Sequence, residues 1–182
     1  MNMQRTCCGA ALVLASVLAG GCAAPAATDS MTVFPAIATV QSVPQALRAN
    51  VAIRDVTGGS ETNPAWVSKV GSGEFRDALE GSLRSAGMLA PNAQSGRFLL
   101  TAHLEKLDQP YFGFDMTVTA TVAYNLSERA TGKDVFKKSL ATPFTAKVSD
   151  AIYAPTRLKL ANEGAIRTNI QRLLDELARL SL

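Results

Sequence analysis

Few residues in this 182-residue chain combine the types and spacing that chemistry requires. The single histidine, His103, sits between Ala102 and Leu104, where Phe98, Leu100, Ala102 and Leu104 hold the even positions. Alternation turns its imidazole away from the core. No acid or nucleophile stands beside it in sequence, so a structural or solvent-facing role is expected rather than general-base catalysis. Gly71-Ser72-Gly73 lacks the G-x-S-x-G spacing that lifts a serine onto a nucleophile elbow, and Ser72 suits the N-cap of a helix instead. Thr131-Gly132-Lys133 ends like a phosphate-binding loop, but its first glycine is missing and Asp134 replaces the hydroxyl residue. A turn is the sufficient reading. No metal site is expected, because the one histidine has no second His or Cys partner in the domain.

The cysteines carry more information. Cys7 and Cys8 fall inside an N-terminal segment in which Arg5 supplies a positive region and Gly9 to Ala19 an apolar one, the pattern of a signal peptide. After it comes Leu18-Ala19-Gly20-Gly21-Cys22, with small residues suited to a narrow peptidase groove and a thiol placed to accept diacylglycerol. This resembles the lipobox of bacterial lipoproteins, with Ala19 where that family usually has Leu. The resemblance implies cleavage before Cys22, lipidation of Cys22, and, from Ala23 in place of Asp, passage to the outer membrane. Cys22 would then be the sole cysteine of the mature chain, so lipid competes there with no disulfide. Two other readings are an uncleaved membrane helix over the charge-free run from Cys7 to Ala27 and ordinary cleavage near Ala19. Gly20, Gly21 and Pro25 break the far end of any such helix.

Two aromatic sites are candidates for partner contact. Tyr111 and Phe112, in Tyr111-Phe112-Gly113-Phe114 after Pro110, occupy a loop that could dock on a protein or enter a membrane interface. Packing back over the sheet edge is the preferred expectation for both. Trp66, the only tryptophan, precedes the first long helix and could anchor a partner or cover the helix N-terminus.

The elements that must position these residues follow from periodicity. Residues 23–32 are rich in Ala with Pro25 and polar residues, which indicates a flexible tether. The expected division is a signal peptide over 1–21, lipidated cysteine and tether over 22–44, and one domain over 45–182. A first strand runs over Leu47–Val56. A helix follows from Ser72 with Phe75, Ala78, Leu79 and Leu83 on one face and Gly87 as its stop. A second strand covers Arg97–Leu107. In the third, Met116, Val118, Ala120, Val122, Tyr124 and Leu126 alternate with threonines, the mark of a half-buried antiparallel strand. A fourth spans Asp134–Lys147, and Pro143 assigns it to an edge or a bulge. A long helix from Pro155 to Leu180 ends the chain. Its stripe is Ile166, Ile170, Leu173, Leu177 and Leu180, and Glu163/Arg167, Arg172/Glu176 and Asp175/Arg179 are expected as i,i+4 pairs on its wet side. Gly81 and Gly164 interrupt good helices, and close approach of a neighbour is the expected reason. The fold class is α+β, β-α-β-β-β-α: a four-stranded mixed sheet with two helices packed on one face.

With 47% hydrophobic and 18% charged residues the chain is globular. Once Arg5 is removed, 17 of the 18 Lys and Arg remain against 15 Asp and Glu, a balance that gives no ground for nucleic-acid binding. The element order resembles that of small envelope lipoproteins, including the lipopolysaccharide-assembly lipoprotein, the curli-secretion lipoprotein and the TolB N-terminal domain. The run Leu160-Ala-Asn-Glu-Gly-Ala-Ile-Arg167, with Tyr124-Asn-Leu and Thr131-Gly-Lys, is similar to proteobacterial lipoproteins of undefined role. The resemblance implies a lipid-anchored protein on the periplasmic face of the outer membrane, with a non-catalytic accessory or binding role in envelope assembly or transport. Its expected partners are the membrane and envelope proteins, and its only attached group the lipid on Cys22. The alternative is an envelope hydrolase or acyl transferase whose active site residue spacing does not reveal.

Overall fold

Strict alternation between core and solvent makes the sheet, and helical spacing makes the layer that covers it. A computed structural model describes residues 24–60 and 69–182. The signal segment, Cys22 and Trp66 lie outside the described residues. The described elements are α1 (Thr28–Met31), α2 (Ile37–Ser42), a 3-10 turn (Gln45–Leu47), β1 (Val51–Gly58), α3 (Ser72–Ser85), β2 (Phe98–Asp108), β3 (Met116–Glu128), β4 (Asp134–Ala146) and α4 (Ala154–Leu177). The strands lie in the order β1-β2-β3-β4. β1 pairs with β2 in parallel, and β2, β3 and β4 form an antiparallel meander. This is the expected α+β arrangement, with α3 against β1 and α4 against β3 and β4.

The even residues of β3 from Val118 to Leu126 are buried beneath the helices, together with Phe98 and Leu100 of β2. Phe75, Leu79 and Leu83 of α3 and Ile166, Ile170, Leu173 and Leu177 of α4 close the core from above. Gly87, with φ +71°, stops α3 in a backbone region that glycine enters without penalty. The expected N-cap Ser72 is instead the first residue of α3: the N-cap is Gly71, which has no side chain to offer a capping bond. β4 is an edge strand, and Pro143, opposite Thr119, sits where an absent N–H is tolerated.

One buried polar cluster ties α4 to the sheet. Asn169 Nδ2 donates to the carbonyls of Ala120 (3.1 Å) and Leu140 (2.8 Å) and to Thr142 Oγ1 (3.0 Å). Its Oδ1 accepts from the Tyr124 hydroxyl at 3.0 Å. Burial pushes the Tyr124 phenol far above its ordinary range, so it remains a donor.

Two expectations are corrected. The segment read as a flexible tether is packed on the domain from Ala26 onward: Ala26, Met31, Val33 and Val43 belong to the core. Its composition suggests a linker, yet its few apolar side chains find the groove over α3 and α4, with α1 against both helices. Its backbone also gains side-chain acceptors. The Ala27 N–H donates to Glu163 Oε1 (2.7 Å) and the Val33 N–H to Ser82 Oγ (2.9 Å). For the same reason Glu163 is not on a wet face. It is buried beneath this strap, and its ion-pair partner is Lys159 at 3.7 Å. Of the expected i,i+4 pairs, Arg172–Glu176 forms at 3.3 Å, while Asp175 accepts from Gln171 and Thr39.

The strap explains the run from Leu160 to Arg167. Ala161 to Ile166 are all buried, because this stretch of α4 has the sheet on one side and the strap on the other. Gly164 lies against Phe144, and a methyl there would fall inside the ring. At Gly81 a methyl would meet Thr32 Cγ2 of the strap at 3.2 Å. Both glycines therefore answer to close approach, as their interruption of helical sequence suggests.

Candidate functional site

Two loops meet at one end of the sheet, where β1, β2 and β4 finish and β3 and α4 begin. The β2–β3 loop carries Tyr111, Phe112 and Phe114, and the β4–α4 loop carries Ile152 and Tyr153. Tyr111, Phe112, Phe114 and Ile152 are each at least 88% exposed, and Tyr153 is about half exposed. The expectation that Tyr111 and Phe112 fold back over the sheet edge is thus corrected. Pro110 and Gly113 (φ +156°) carry the chain outward, and Met116 is the first side chain of β3 to turn into the core.

The tip is held from below by polar contacts. Gln109 Nε2 donates to Asn162 Oδ1 of α4 at 2.8 Å, fixing the start of the aromatic loop. The Val148 N–H donates to Asp115 Oδ1 (3.1 Å), joining the two loops, and the Lys147 N–H donates to Asp150 Oδ2 (2.8 Å). Arg157, buried in the first turns of α4, donates through Nη1 to the carbonyls of Ala151 (2.6 Å) and Ile152 (2.9 Å). Its Nε has no partner among the described residues. Charge–dipole bonds of this kind hold a loop more firmly than neutral ones, so Ile152 projects from a fixed base.

Between the loops lies a cleft of about 440 Å³ lined by Leu107, Gln109, Tyr111, Met116, Pro155 and Leu158. Charges around the tip are mixed in sign: Lys106 pairs with Asp108 at 2.6 Å and Lys159 with Glu163, and Lys147 shares the loops with Asp115 and Asp150. The surface is apolar in its projecting groups and carries no single-sign field. Such a surface associates by burying rings rather than by attracting charge.

The strap reaches the same end. The Ala26 N–H donates to the Lys69 carbonyl at 3.4 Å, beside the first turn of α3. Ala27 is joined to Glu163, next to Asn162, which holds Gln109, two residues before Tyr111. Of the residues that sequence singled out, Tyr111 and Phe112 belong to this surface, and Cys22 and Trp66 lie outside the described residues. Ile152, Tyr153 and Phe114 join them. Ile152-Tyr153 before Pro155 was the available signal, an apolar pair in a loop that no period explains.

The remaining motifs lie elsewhere. His103 is on the uncovered sheet face, with Nδ1 2.9 Å from Thr57 Oγ1. The nearby Glu105 carboxylate accepts from Ser139 at 2.7 Å. Among the described residues no group of three His, Cys, Asp or Glu could hold a metal ion. Thr131-Gly132-Lys133 is the β3–β4 turn at the opposite end, with Gly132 at φ +71° and Thr131 Oγ1 donating to Glu128 Oε2 at 2.8 Å. No helix among the described residues is long and apolar enough to cross a membrane.

No family model matches the chain, and no curated protein is similar to it in sequence. Solved structures are similar in fold. A candidate lipoprotein from Caulobacter crescentus has a TM-score of 0.50 and 14% identity, over 78% of this chain and 93% of its own. A DUF330 protein from Xanthomonas campestris has a TM-score of 0.52 and 13% identity, over 81% of this chain and 89% of its own. At these identities the likeness is one of fold.

Proposed function

We propose that this chain is a lipid-anchored envelope lipoprotein, held on Cys22 at the periplasmic face of the outer membrane. Its role is a non-catalytic accessory or binding one in envelope assembly or transport. The observation that carries this reading is how soon the fold begins: Ala26, already buried, stands four residues after Cys22. A domain that starts there is kept close to whatever holds its lipid. The lipobox-like run supports the anchor, and Ala23 supports sorting to the outer membrane. The fold shared with a candidate lipoprotein agrees with the anchor. The acyl chains are the only attached group this reading requires, and several chains on one cysteine anchor stably.

The accessory role draws support from an uncommitted surface. β4 is an open edge of 13 residues that could receive a partner strand, and the aromatic tip is uncovered. Envelope proteins are the expected partners. Metabolic labelling with palmitate tests the anchor: wild-type chain takes up label and fractionates with outer membrane, and Cys22→Ala does neither. Label persisting in Cys22→Ala would overturn it. Crosslinking in cells tests the role, through capture of a discrete envelope protein that β4 variants lose.

A further inference from the structure

We infer that the aromatic tip is a second membrane contact: Tyr111, Phe112, Phe114 and Ile152 enter the interface of the bilayer that holds the lipid on Cys22. This rests on the lipoprotein reading above and adds to it a fixed orientation of the domain.

Chain length decides which end of the domain can meet that bilayer. Ala27 is fastened to Glu163, nine residues into α4, so it lies about 13 Å along the helix from the tip end. From Ala27 back to Cys22 is five residues, at most about 17 Å of extended chain. That suffices to bring the acylated residue level with the tip. The far end of α4 is 14 residues beyond Glu163, about 21 Å away in the other direction, and lies out of reach. The bilayer therefore passes beside the end where the aromatic loops project.

The chemistry of the tip fits a lipid surface better than a charged partner. Aromatic side chains favour the boundary between headgroups and acyl chains, where a ring is shielded and a phenol stays wet. Tyr111 and Tyr153 provide such phenols, and Phe112, Phe114 and Ile152 the apolar depth. Lys106 and Lys159 are paired with carboxylates, and Asp115 and Asp150 offset Lys147 in the loops, so contact needs no anionic lipid and depends only weakly on salt. The bonds from Gln109 and Arg157 keep the loops projecting, which spares the ordering cost a mobile loop would incur on insertion.

The test uses the full lipidated chain in phosphatidylethanolamine–phosphatidylglycerol vesicles. Phe112→Trp, in a Trp66→Phe background, is compared with Ala130→Trp at the opposite end of the sheet. Lipid brominated near the headgroup should quench the Phe112→Trp emission and leave the Ala130→Trp emission unchanged at any salt concentration. Equal quenching, or no quenching of either while the protein floats with the vesicles, overturns the inference. Failure of the anchor is separable. Cys22→Ala chain lacking residues 1–21, and so without lipid or the apolar signal segment, should still partition weakly into vesicles, and each of Tyr111→Ser, Phe112→Ser and Phe114→Ser should lower that partition roughly tenfold. If palmitate labelling fails but this partition holds, the tip contact stands without the anchor. Emission from Phe112→Trp that shifts with protein concentration in the absence of lipid would assign the tip to a second copy and overturn it.

Discussion

The backbone N–H of Ala27 donates to Glu163 Oε1 at 2.7 Å, joining residues 136 positions apart. This bond converts a linker-like segment into part of the domain and sets how far the fold stands from Cys22. It also accounts for a buried carboxylate in the middle of α4.

Glu163→Ala should release the strap. Removing the acceptor leaves the Ala27 N–H and Lys159 without it, at a cost of about 1–3 kcal/mol. Hydrogen exchange should rise first in residues 26–33, while the β3 amides keep their protection. Glu163→Gln retains a carbonyl acceptor and should cost less. Unchanged exchange in the strap of Glu163→Ala would show that apolar packing alone holds it.

The two helix glycines should respond differently to alanine. Gly164→Ala places a methyl within the Phe144 ring and should destabilise by about 1–3 kcal/mol, partly relieved by Phe144→Leu. Gly81→Ala meets only the Thr32 side chain and gains helix propensity, so it should be neutral or stabilising by up to about 1 kcal/mol. Denaturant melts of both variants decide this, and equal losses would contradict it.

Asn169 and Tyr124 should be strongly coupled. Asn169→Ala strips the acceptor from a buried phenol, costing about 2–4 kcal/mol with the cavity. In that background Tyr124→Phe should cost less than in wild type, because its hydroxyl has already lost its partner. A double-mutant cycle by chemical denaturation measures the coupling, and strict additivity would refute it.

Acid should loosen α4 from β4. The hydrogen bond from Lys138 (2.9 Å), aided by its charge and by Arg172, holds Glu176 below its ordinary value of 4.5. A carboxyl lowered in the fold stays ionised where the unfolded chain takes up protons. Its contribution is therefore complete above pH 4.5 and disappears as pH falls through the lowered value. Glu128, lowered by Thr131 and Arg97, has the same sign beside the β3–β4 turn. Melting temperature against pH should drop less steeply on the acid side in Glu176→Gln than in wild type. Parallel curves would remove Glu176 from the account.

Much of this protein is determined locally and is legible in its sequence. Alternation from Met116 to Leu126 specifies a half-buried strand, Gly87 ends a helix, and Pro143 marks an edge, because each follows from periods and backbone restrictions within a few residues. The order of elements then leaves few ways to pair them, and the sheet follows. Tyr111 and Phe112 are visible as candidates because aromatic residues in a loop lack a periodic reason. Tertiary structure alone decides the rest. Whether those rings pack or project depends on Asn162, which comes from a helix 53 residues after Gln109 and pins the start of their loop from beneath. Whether residues 26–43 are tether or core depends on a groove that exists only once α3 and α4 lie side by side. The Glu163 carboxylate, solvated in any isolated helix, becomes buried only when that strap closes over it.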